Sequence, residues 1–208
     1  MTSLLEKFVL PGNTGKSVTE YADAYIDSLL MSLKSSDLSG LSDFIRVIDE
    51  AEAKGSSIFV FGNGGSSAIA NHLQCDYLKS VSQLTNKRLR VISLTSSTEL
   101  ITAYGNDIDF SEIFSSQLET LGSTGDVCMA ISSSGNSPNI LNGVRAAKKL
   151  GLTTLGLTGF DGGELLKMGD HVIHVKVNNY GIVEDSHQMI MHVIAQYISK
   201  RQAALCES

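Results

Sequence analysis

VCMAISSSGNS, residues 127–137, is the stretch that decides the fold, and Pro138 follows it directly. An apolar run passes into a turn of Ser, Gly and Asn, and Pro is favoured at the first position of a helix. The stretch IFVFGNGGSS, residues 58–67, has the same order. Each stretch therefore predicts a buried strand, a tight polar turn and a helix start, with Ser137 as the N-cap of the second helix.

Turns of this kind point backbone N–H groups and hydroxyls at one spot. The positive end of a helix dipole stands behind them, so the arrangement binds an anion, most often a phosphate. Residues 132–137 carry four hydroxyls in six positions. Two simpler interpretations stay open, which are a tight connection for residues 62–67 and a solvated turn for residues 132–137.

Neither turn is a standard nucleotide-binding motif. The first turn lacks the Gly-Lys-Ser/Thr ending that a P-loop requires. Its glycines, Gly62, Gly64 and Gly65, do not have the G-x-G-x-x-G spacing of a dinucleotide fingerprint. The sequence therefore argues against both of these nucleotide sites.

The rest of the chain alternates between apolar strands and helices, which is typical of a parallel sheet covered on both faces. We predict an α/β fold with a doubly wound five-stranded parallel sheet in residues 56–208, after an N-terminal helical extension in residues 1–55. The predicted strands are Ser57–Phe61, Leu89–Leu94, Val127–Ile131, Thr153–Leu157 and Val172–Val175. The predicted helices are Lys16–Ser35, Leu41–Ala53, Ser66–Leu78, Thr98–Tyr104, Ser111–Leu121, Pro138–Leu150, Gly163–Met168 and Glu184–Ala204.

The composition is that of an ordinary globular chain, since 42% of the 208 residues are hydrophobic and 18% are charged. The net charge of −6 argues against non-specific nucleic-acid binding, which needs a basic face. No apolar run approaches the roughly 20 residues of a membrane helix, and residues 1–18 lack a signal-peptide layout. Three scattered cysteines form no disulfide framework. We therefore expect a cytoplasmic protein without nucleic-acid or membrane partners.

Two groups of titratable residues stand out. His72 and Asp76 are four residues apart on the helix after the first turn, so they share one face. Glu184 and His192 lie on one stripe of the last predicted helix. Each has an alternative interpretation. His72 and Asp76 can form a surface ion pair, Glu184 can lie in a solvated first turn with acids near the helix N-terminus, and His192 can be a core histidine.

These four residues fit two kinds of chemistry. A His and a carboxylate on opposite sides of a phosphate-anchored sugar can move a proton between adjacent carbons. The same set, His72, Asp76, Glu184 and His192, also fits the nitrogen and oxygen ligands of Zn²⁺. The residues alone do not separate these two uses.

Five segments, in this order, resemble the sugar isomerase (SIS) domain family, and within it the bacterial phosphoheptose isomerases. The resemblance extends from the N-terminal helices to about Ile198. The segments are Gly62–Ser66, Gly105–Asp107, Ser132–Ser137, Leu157–Gly163 and Glu184–His192.

The resemblance implies an aldose–ketose isomerase. It would convert sedoheptulose 7-phosphate to D-glycero-D-manno-heptose 7-phosphate through an enediol, as a step toward surface polysaccharide. The resemblance also implies a homotetramer with sites at subunit boundaries, an N-terminal extension that packs on neighbouring subunits, and zinc in the site.

Residue roles carried over by position follow the same resemblance. Asp76 and His192 would be the catalytic pair. The zinc ligands would be His72, Asp76, Glu184 and His192. The substrate-binding residues would be Asn63, Gly64, Gly65, Ser66, Asn106, Asp107, Ser132, Ser133, Ser134, Ser137 and Glu184.

The chain departs from the family pattern at several positions. Asp76 stands where the family has Glu, and Glu184 stands where it has Gln. Gly181 replaces an Asp, and an Arg expected one turn after Asp76 is absent. Two other functions therefore stay open, namely isomerisation of another phosphosugar, and a non-catalytic tetrameric binding role of the replication-initiator-associating type.

Overall fold

A computed structural model of the protein describes residues 17–85 and 88–206. Five parallel strands form one sheet with the order β2-β1-β3-β4-β5. The strands are β1 Ser57–Gly62, β2 Arg90–Ser93, β3 Val127–Ser132, β4 Thr153–Thr158 and β5 His171–His174. This sheet confirms the predicted doubly wound α/β fold.

Helices cover both faces of the sheet. They are α1 Val18–Ser35, α2 Gly40–Lys54, α3 Gly65–Cys75, α4 Ser82–Thr85, α5 Thr98–Asp107, α6 Ser115–Leu121, α7 Pro138–Leu150, α8 Gly163–Met168 and α9 Tyr180–Cys206. A π-helical segment, Asp76–Val81, joins α3 to α4, and a 3₁₀ turn, Phe110–Glu112, precedes α6. Residues 1–16, where the predicted N-terminal extension and the first predicted helix begin, lie outside the described residues. The division at residue 55 stays a prediction.

Alternation along the central strands separates two apolar cores. In β1, Ile58 and Val60 pack into a core with α2, α3 and α9, whereas Phe59 and Phe61 pack into a core with α6, α7 and α8. Every residue of β1 and β3 is buried, as expected for strands covered on both faces. The two central strands therefore hold the turns that follow them on a rigid base.

The last helix begins at Tyr180 rather than at the predicted Glu184. Asn179 supplies the cap, because its side-chain oxygen accepts a hydrogen bond of 3.1 Å from the backbone N–H of Ile182. Glu184 consequently lies in the second turn of α9. The interpretation of Glu184 and Asp185 as first-turn acids that complement the helix dipole was therefore wrong.

None of the helices in the described part of the chain combines the length and the apolar character needed to cross a membrane.

His187 is a fully buried histidine on α9. Among the residues that the structure describes, none makes a well-formed hydrogen bond to either ring nitrogen. Burial lowers the pKa of His187 to about 4, and the nearby backbone of Thr158 offsets part of this shift. The folded protein therefore holds this imidazole neutral over a pH range in which the unfolded chain protonates it.

Stability is expected to decrease as the pH falls from 6.5 toward 4. The unfolded state binds a proton at residue 187 in this window and the folded state does not, so unfolding is favoured by up to about 1.4 kcal/mol per pH unit from this group. Urea denaturation at several pH values should show that the free energy of unfolding depends less steeply on pH in His187→Gln than in the wild type. The control is His171→Gln on the edge strand β5. Equal slopes in His187→Gln and the wild type would contradict the assignment.

Candidate active site

A cavity of about 440 Å³ lies at the carboxyl ends of β1 and β3, between the two turns. Ligands of open α/β sheets bind at such an edge, near a reversal of strand order. It contains every predicted substrate-binding residue except Asn106 and Asp107. The lining residues are Asn63, Gly64, Gly65, Ser66, Ile131, Ser132, Ser133, Ser134, Ser137, Tyr180 and Glu184.

The seryl hydroxyls of this cavity differ in how they are already engaged. The Ser133 hydroxyl is buried and has no hydrogen-bond partner among the described residues. Ser132 and Ser134 each accept a backbone N–H, from Gly135 and Asn136, so each can still donate its own proton. A buried hydroxyl without a partner is uncommon in a folded protein, and this one belongs to a residue that lines the cavity.

Ser137 occupies the predicted N-cap position of α7, but its side chain makes no capping hydrogen bond. The predicted N-cap position is therefore confirmed, without a side-chain cap. Pro138, at the first helical position, has no N–H to satisfy, which reduces the need for a cap. The Ser137 hydroxyl lines the cavity at the N-terminus of this helix.

A third turn, Thr158–Gly163, holds the turn of residues 132–137, the seryl turn, in place. The backbone N–H of Gly159 donates to the Ser133 carbonyl at 2.8 Å. Gly135 has a φ of +65°, and a Cβ at this position would overlap the carbonyl of Gly162. Only glycine allows this close approach between the two turns.

The first turn is tied to α7 by an amide pair that the sequence analysis missed. Asn63 and Asn139 exchange two hydrogen bonds of 2.8 Å through their side-chain amides. Asn139 is almost fully buried. Its position directly after Pro138 was the signal that could have drawn attention to it, since polar residues are uncommon on the buried side of a helix.

Glu184 reaches into the cavity from α9. Its carboxylate lies so close to Gly65 that a Cβ at this glycine would overlap it. Burial raises the pKa of the Glu184 carboxyl, and the neighbouring Asp185 raises it further. The carboxylate therefore stands at the start of α3, beside the seryl turn.

A second cluster, which lines no part of this cavity, contains His72, Asp76 and His192. The two carboxylate oxygens of Asp76 each lie 3.5 Å from a histidine Nε2, one from His72 and one from His192. One ligand atom from each of these residues lies within 4.8 Å of the other two. This spacing fits a single metal ion, as the predicted donor set requires.

The cluster opens into its own cavity of about 380 Å³, which Asp76 and His192 line together with residues of the π-helical segment and α9. Such π-helical turns are frequent at functional sites. The side-chain nitrogen of Gln188 lies 3.1 Å from Nε2 of His192 and donates to it when that nitrogen carries no proton. His192 is part-exposed, so it is not a core histidine.

Glu184 does not belong to this cluster, although the sequence analysis grouped it with His72, Asp76 and His192. The stripe on α9 is real, but two helical turns separate Glu184 from His192, a rise of about 12 Å. Within one chain, Glu184 therefore lines the cavity between the two turns, the seryl cavity, whereas His192 lies beside Asp76. Asn106 and Asp107, at the end of α5, lie outside both cavities and bond to each other at 2.7 Å.

A tyrosine from α1 approaches the site, and the sequence analysis missed it. The hydroxyl of Tyr25 donates to Asp185 at 2.7 Å. A Cβ at Gly181 would lie 2.7 Å from this hydroxyl, so the glycine provides the space that Tyr25 occupies. Burial and the Asp185 carboxylate raise the pKa of Tyr25. No local sequence pattern predicts a contact between residues so far apart in the chain.

Comparisons with known proteins agree with this architecture. A family model described as SIS domain matches residues 20–159. The phosphoheptose isomerase of Nitratidesulfovibrio vulgaris is 39% identical over 78% of this chain and 79% of its own length. That of Sulfurimonas denitrificans is 40% identical over 67% of this chain and 71% of its own.

A solved structure supports the same relationship. The phosphoheptose isomerase of Neisseria gonorrhoeae superimposes with a TM-score of 0.81 and 27% sequence identity, over 88% of this chain and 99% of that one. Sequence and fold therefore agree over most of both molecules. The chain belongs to the SIS domain family and, within it, to the phosphoheptose isomerases.

Proposed function

We propose that this protein isomerises sedoheptulose 7-phosphate to D-glycero-D-manno-heptose 7-phosphate in the cytoplasm, as a step toward surface polysaccharide. The observation that carries the proposal is the seryl cavity with its unpartnered Ser133 hydroxyl, in a chain that also holds a carboxylate between two histidines. The names of the related enzymes support the choice of substrate.

The seryl cavity binds the phosphate in this proposal. The hydroxyls of Ser66, Ser133 and Ser137 donate to its oxygens, and the first turns of α3 and α7 direct backbone N–H groups and positive dipole ends toward it. Ser132 and Ser134 donate as well. Holding the phosphate fixes the sugar chain relative to the proton-transfer groups, which is a large part of the expected rate gain.

Asp76 and His192 perform the proton transfer. One of them removes a proton from C1 of the ketose while O2 gains a proton, which gives a cis-enediol. The pair then returns a proton to C2 while O1 loses its proton, which gives the aldose. The 3.5 Å separation between Asp76 Oδ2 and His192 Nε2 lets a proton pass from one group to the other with little movement. Gln188 orients the imidazole.

The two halves of this chemistry lie at different ends of one stripe of α9, since Glu184 and His192 are about 12 Å apart along the helix. A complete site therefore combines the seryl cavity of one subunit with the Asp76 cluster of another. This arrangement supports the homotetramer that the family resemblance implies. Asn106 and Asp107, exposed at the end of α5, contact sugar hydroxyls in the same assembled site.

Zinc fits the Asp76 cluster. Two imidazole nitrogens and a carboxylate oxygen converge within 4.8 Å, which is the donor set that this ion prefers. His72, Asp76 and His192 would hold the ion, and Glu184 of another subunit would be the fourth ligand. When bound, the ion polarises a carbonyl or hydroxyl oxygen of the sugar.

Removal of one imidazole should weaken zinc binding sharply. We expect His72→Ala to lower the zinc affinity by about a hundredfold or more, because one of the four protein ligands is lost. Competition with a chromophoric chelator measures the affinity without any assay of activity. His171→Ala is the matched control, because His171 pairs with Asp43 outside the cluster. Equal affinities in the two variants would exclude His72 as a ligand.

The test of the function is direct. Incubation of the protein with sedoheptulose 7-phosphate should give the aldose, and proton NMR measures its formation. In deuterated water, deuterium should appear at C2 of the product. Turnover of a different ketose phosphate instead would assign another phosphosugar. Binding of sugar phosphates without any exchange would favour the non-catalytic alternative.

A further inference from the structure

The seryl cavity has one accessible apolar wall. Among the residues that line it in the described part of the chain, Ile131 and Tyr180 have large apolar side chains, and the others are Ser, Gly, Asn and Glu. Ile131 is fully buried, whereas Tyr180 is partly exposed. Tyr180 is therefore the residue that can present apolar surface to a ligand in this cavity.

Helical geometry directs the Tyr180 side chain toward the cavity. Tyr180 and Glu184 are four residues apart on α9, so their side chains share one face of the helix. The Glu184 carboxylate lies against Gly65, in the wall of the cavity. The aromatic ring one turn earlier therefore faces the same space.

Phe160, in the third turn, supports the Tyr180 ring from outside the cavity. The two ring centroids are 4.8 Å apart and the ring planes are inclined at 64°, which is the edge-to-face arrangement that aromatic pairs favour. Phe160 itself is not one of the lining residues. Its ring therefore restricts the movement of the Tyr180 ring without touching a ligand.

Phe160 adopts a backbone conformation that its side chain disfavours. Its φ is +49°, and no other residue except glycine has a positive φ in the described part of the chain. Its N–H donates to the Val177 carbonyl at 3.2 Å, and its own carbonyl oxygen lies 3.0 Å from Nε2 of His174. Glycine would avoid the strain at this position, and strain of this kind is frequent at functional sites. A role of the Phe160 ring in supporting Tyr180 accounts for its presence here.

The Tyr180 ring suits the carbon chain of a sugar rather than its phosphate. The face of an aromatic ring carries partial negative charge, so it attracts the weakly positive C–H groups of a sugar and repels an anion. The phosphate is met instead by the hydroxyl and N–H donors of the two turns. A carbon chain that extends far enough from the phosphate to reach Tyr180 gains this contact, and a shorter chain does not.

We propose that Tyr180, supported by Phe160, is a specificity-determining residue that selects sugar phosphates by the length of their carbon chain. The ring packs against the C–H groups of a long polyhydroxy chain, such as that of the seven-carbon ketose, and lies beyond the reach of a three-carbon phosphate. This inference rests on the proposed function, since it needs the phosphate in the seryl cavity. Phe160 is a positioning residue, because it acts through Tyr180.

Two polyol phosphates that cannot isomerise test the proposal. Glycerol 3-phosphate and glucitol 6-phosphate carry the same phosphate on chains of three and six carbons, and neither has a carbonyl group. Calorimetric titration of the full chain should show at least about tenfold tighter binding of glucitol 6-phosphate. Tyr180→Ala should weaken the binding of glucitol 6-phosphate by about tenfold and that of glycerol 3-phosphate by less than about twofold.

Three further variants make the test specific to the ring. Tyr180→Phe keeps the ring and should keep the preference for glucitol 6-phosphate. Phe160→Gly suits the positive φ but removes the supporting ring, so it should weaken glucitol 6-phosphate by about threefold or more and leave glycerol 3-phosphate unchanged. A merely structural role of Phe160 would weaken both ligands together. Tyr197→Ala, on the same helix but outside the seryl cavity, is the matched control and should change neither affinity.

The outcomes separate this inference from the proposed function. Equal binding of the two ligands by the wild type, equal weakening of both in Tyr180→Ala, or loss of the preference in Tyr180→Phe would overturn the inference while leaving the phosphate site intact. Binding of neither ligand by the wild type would overturn the phosphate site itself and with it the proposed function.

Discussion

Asp76→Asn is expected to lower kcat for the isomerisation by about a thousandfold, with KM changed only a few-fold. The amide cannot accept the proton from carbon, and general base catalysis contributes about 10² to 10⁴ in rate. KM should change little because the seryl cavity, which holds the phosphate, lies about two helical turns of α9 away. The rate is measured by NMR of product and by solvent deuterium incorporation.

Two control variants and a zinc measurement attribute this result to the loss of the carboxylate base. Asp76→Glu restores the carboxylate that the family carries and should stay within about tenfold of the wild-type rate. Asp23→Asn, at an exposed site on α1, is the control for a change of charge. Zinc content is measured in every variant, so that a loss of metal is distinguished from a loss of the base. The proton-transfer assignment fails if Asp76→Asn combined with His192→Gln retains more than about a tenth of the wild-type rate.

The sheet and both turns were predictable because each depends on a strong local contrast. Fully apolar runs such as residues 127–131 change abruptly to Ser, Gly and Asn, and this contrast survives in any tertiary context. The start of α9 was not predictable in the same way. Its first turn contains Gly181, and glycine is unfavourable inside a helix, so the cap at Asn179 was overlooked.

Periodicity predicted which residues share one face of α9 but not that the two ends of this face line different cavities. The spacing of Glu184, Gln188 and His192 places them on one stripe, and the structure confirms that stripe. Periodicity describes angle around a helix and says nothing of distance along it, so two ends of one stripe can serve different cavities. His187, which lies off this stripe, is one of the fully buried residues of α9.

No local sequence pattern gives both partners of a contact between distant segments. Tyr25 and Asp185 meet only because α1 packs along α9, and Asn63 meets Asn139 because the two central strands are neighbours. Such pairs depend on the finished fold. The first pair also accounts for one departure from the family pattern, because Gly181 makes room for Tyr25.

Ser133→Ala combined with Ser137→Ala is expected to raise the dissociation constant for sedoheptulose 7-phosphate by about a hundredfold or more. Each hydroxyl donates to a charged phosphate, and such hydrogen bonds contribute about 1.5–3 kcal/mol. The free energy of unfolding without ligand should stay the same or increase. The reason is that Ser133 is a buried hydroxyl without a partner, so removing it relieves an unmet desolvation penalty.

Ser115→Ala provides the opposite outcome in the same protein. Ser115 is equally buried, but its hydroxyl bonds to the backbone and the carboxylate of Glu112, on the far side of the sheet from α3 and α9. Its removal should lower the free energy of unfolding by about 1 kcal/mol and leave ligand affinity unchanged. Calorimetric titration and urea denaturation of both variants give the two measurements. A protein evolved only for stability would satisfy Ser133 within its own fold. A free energy of unfolding that falls in the double variant would therefore mean that these hydroxyls are structural, and an unchanged dissociation constant would mean that the phosphate binds elsewhere.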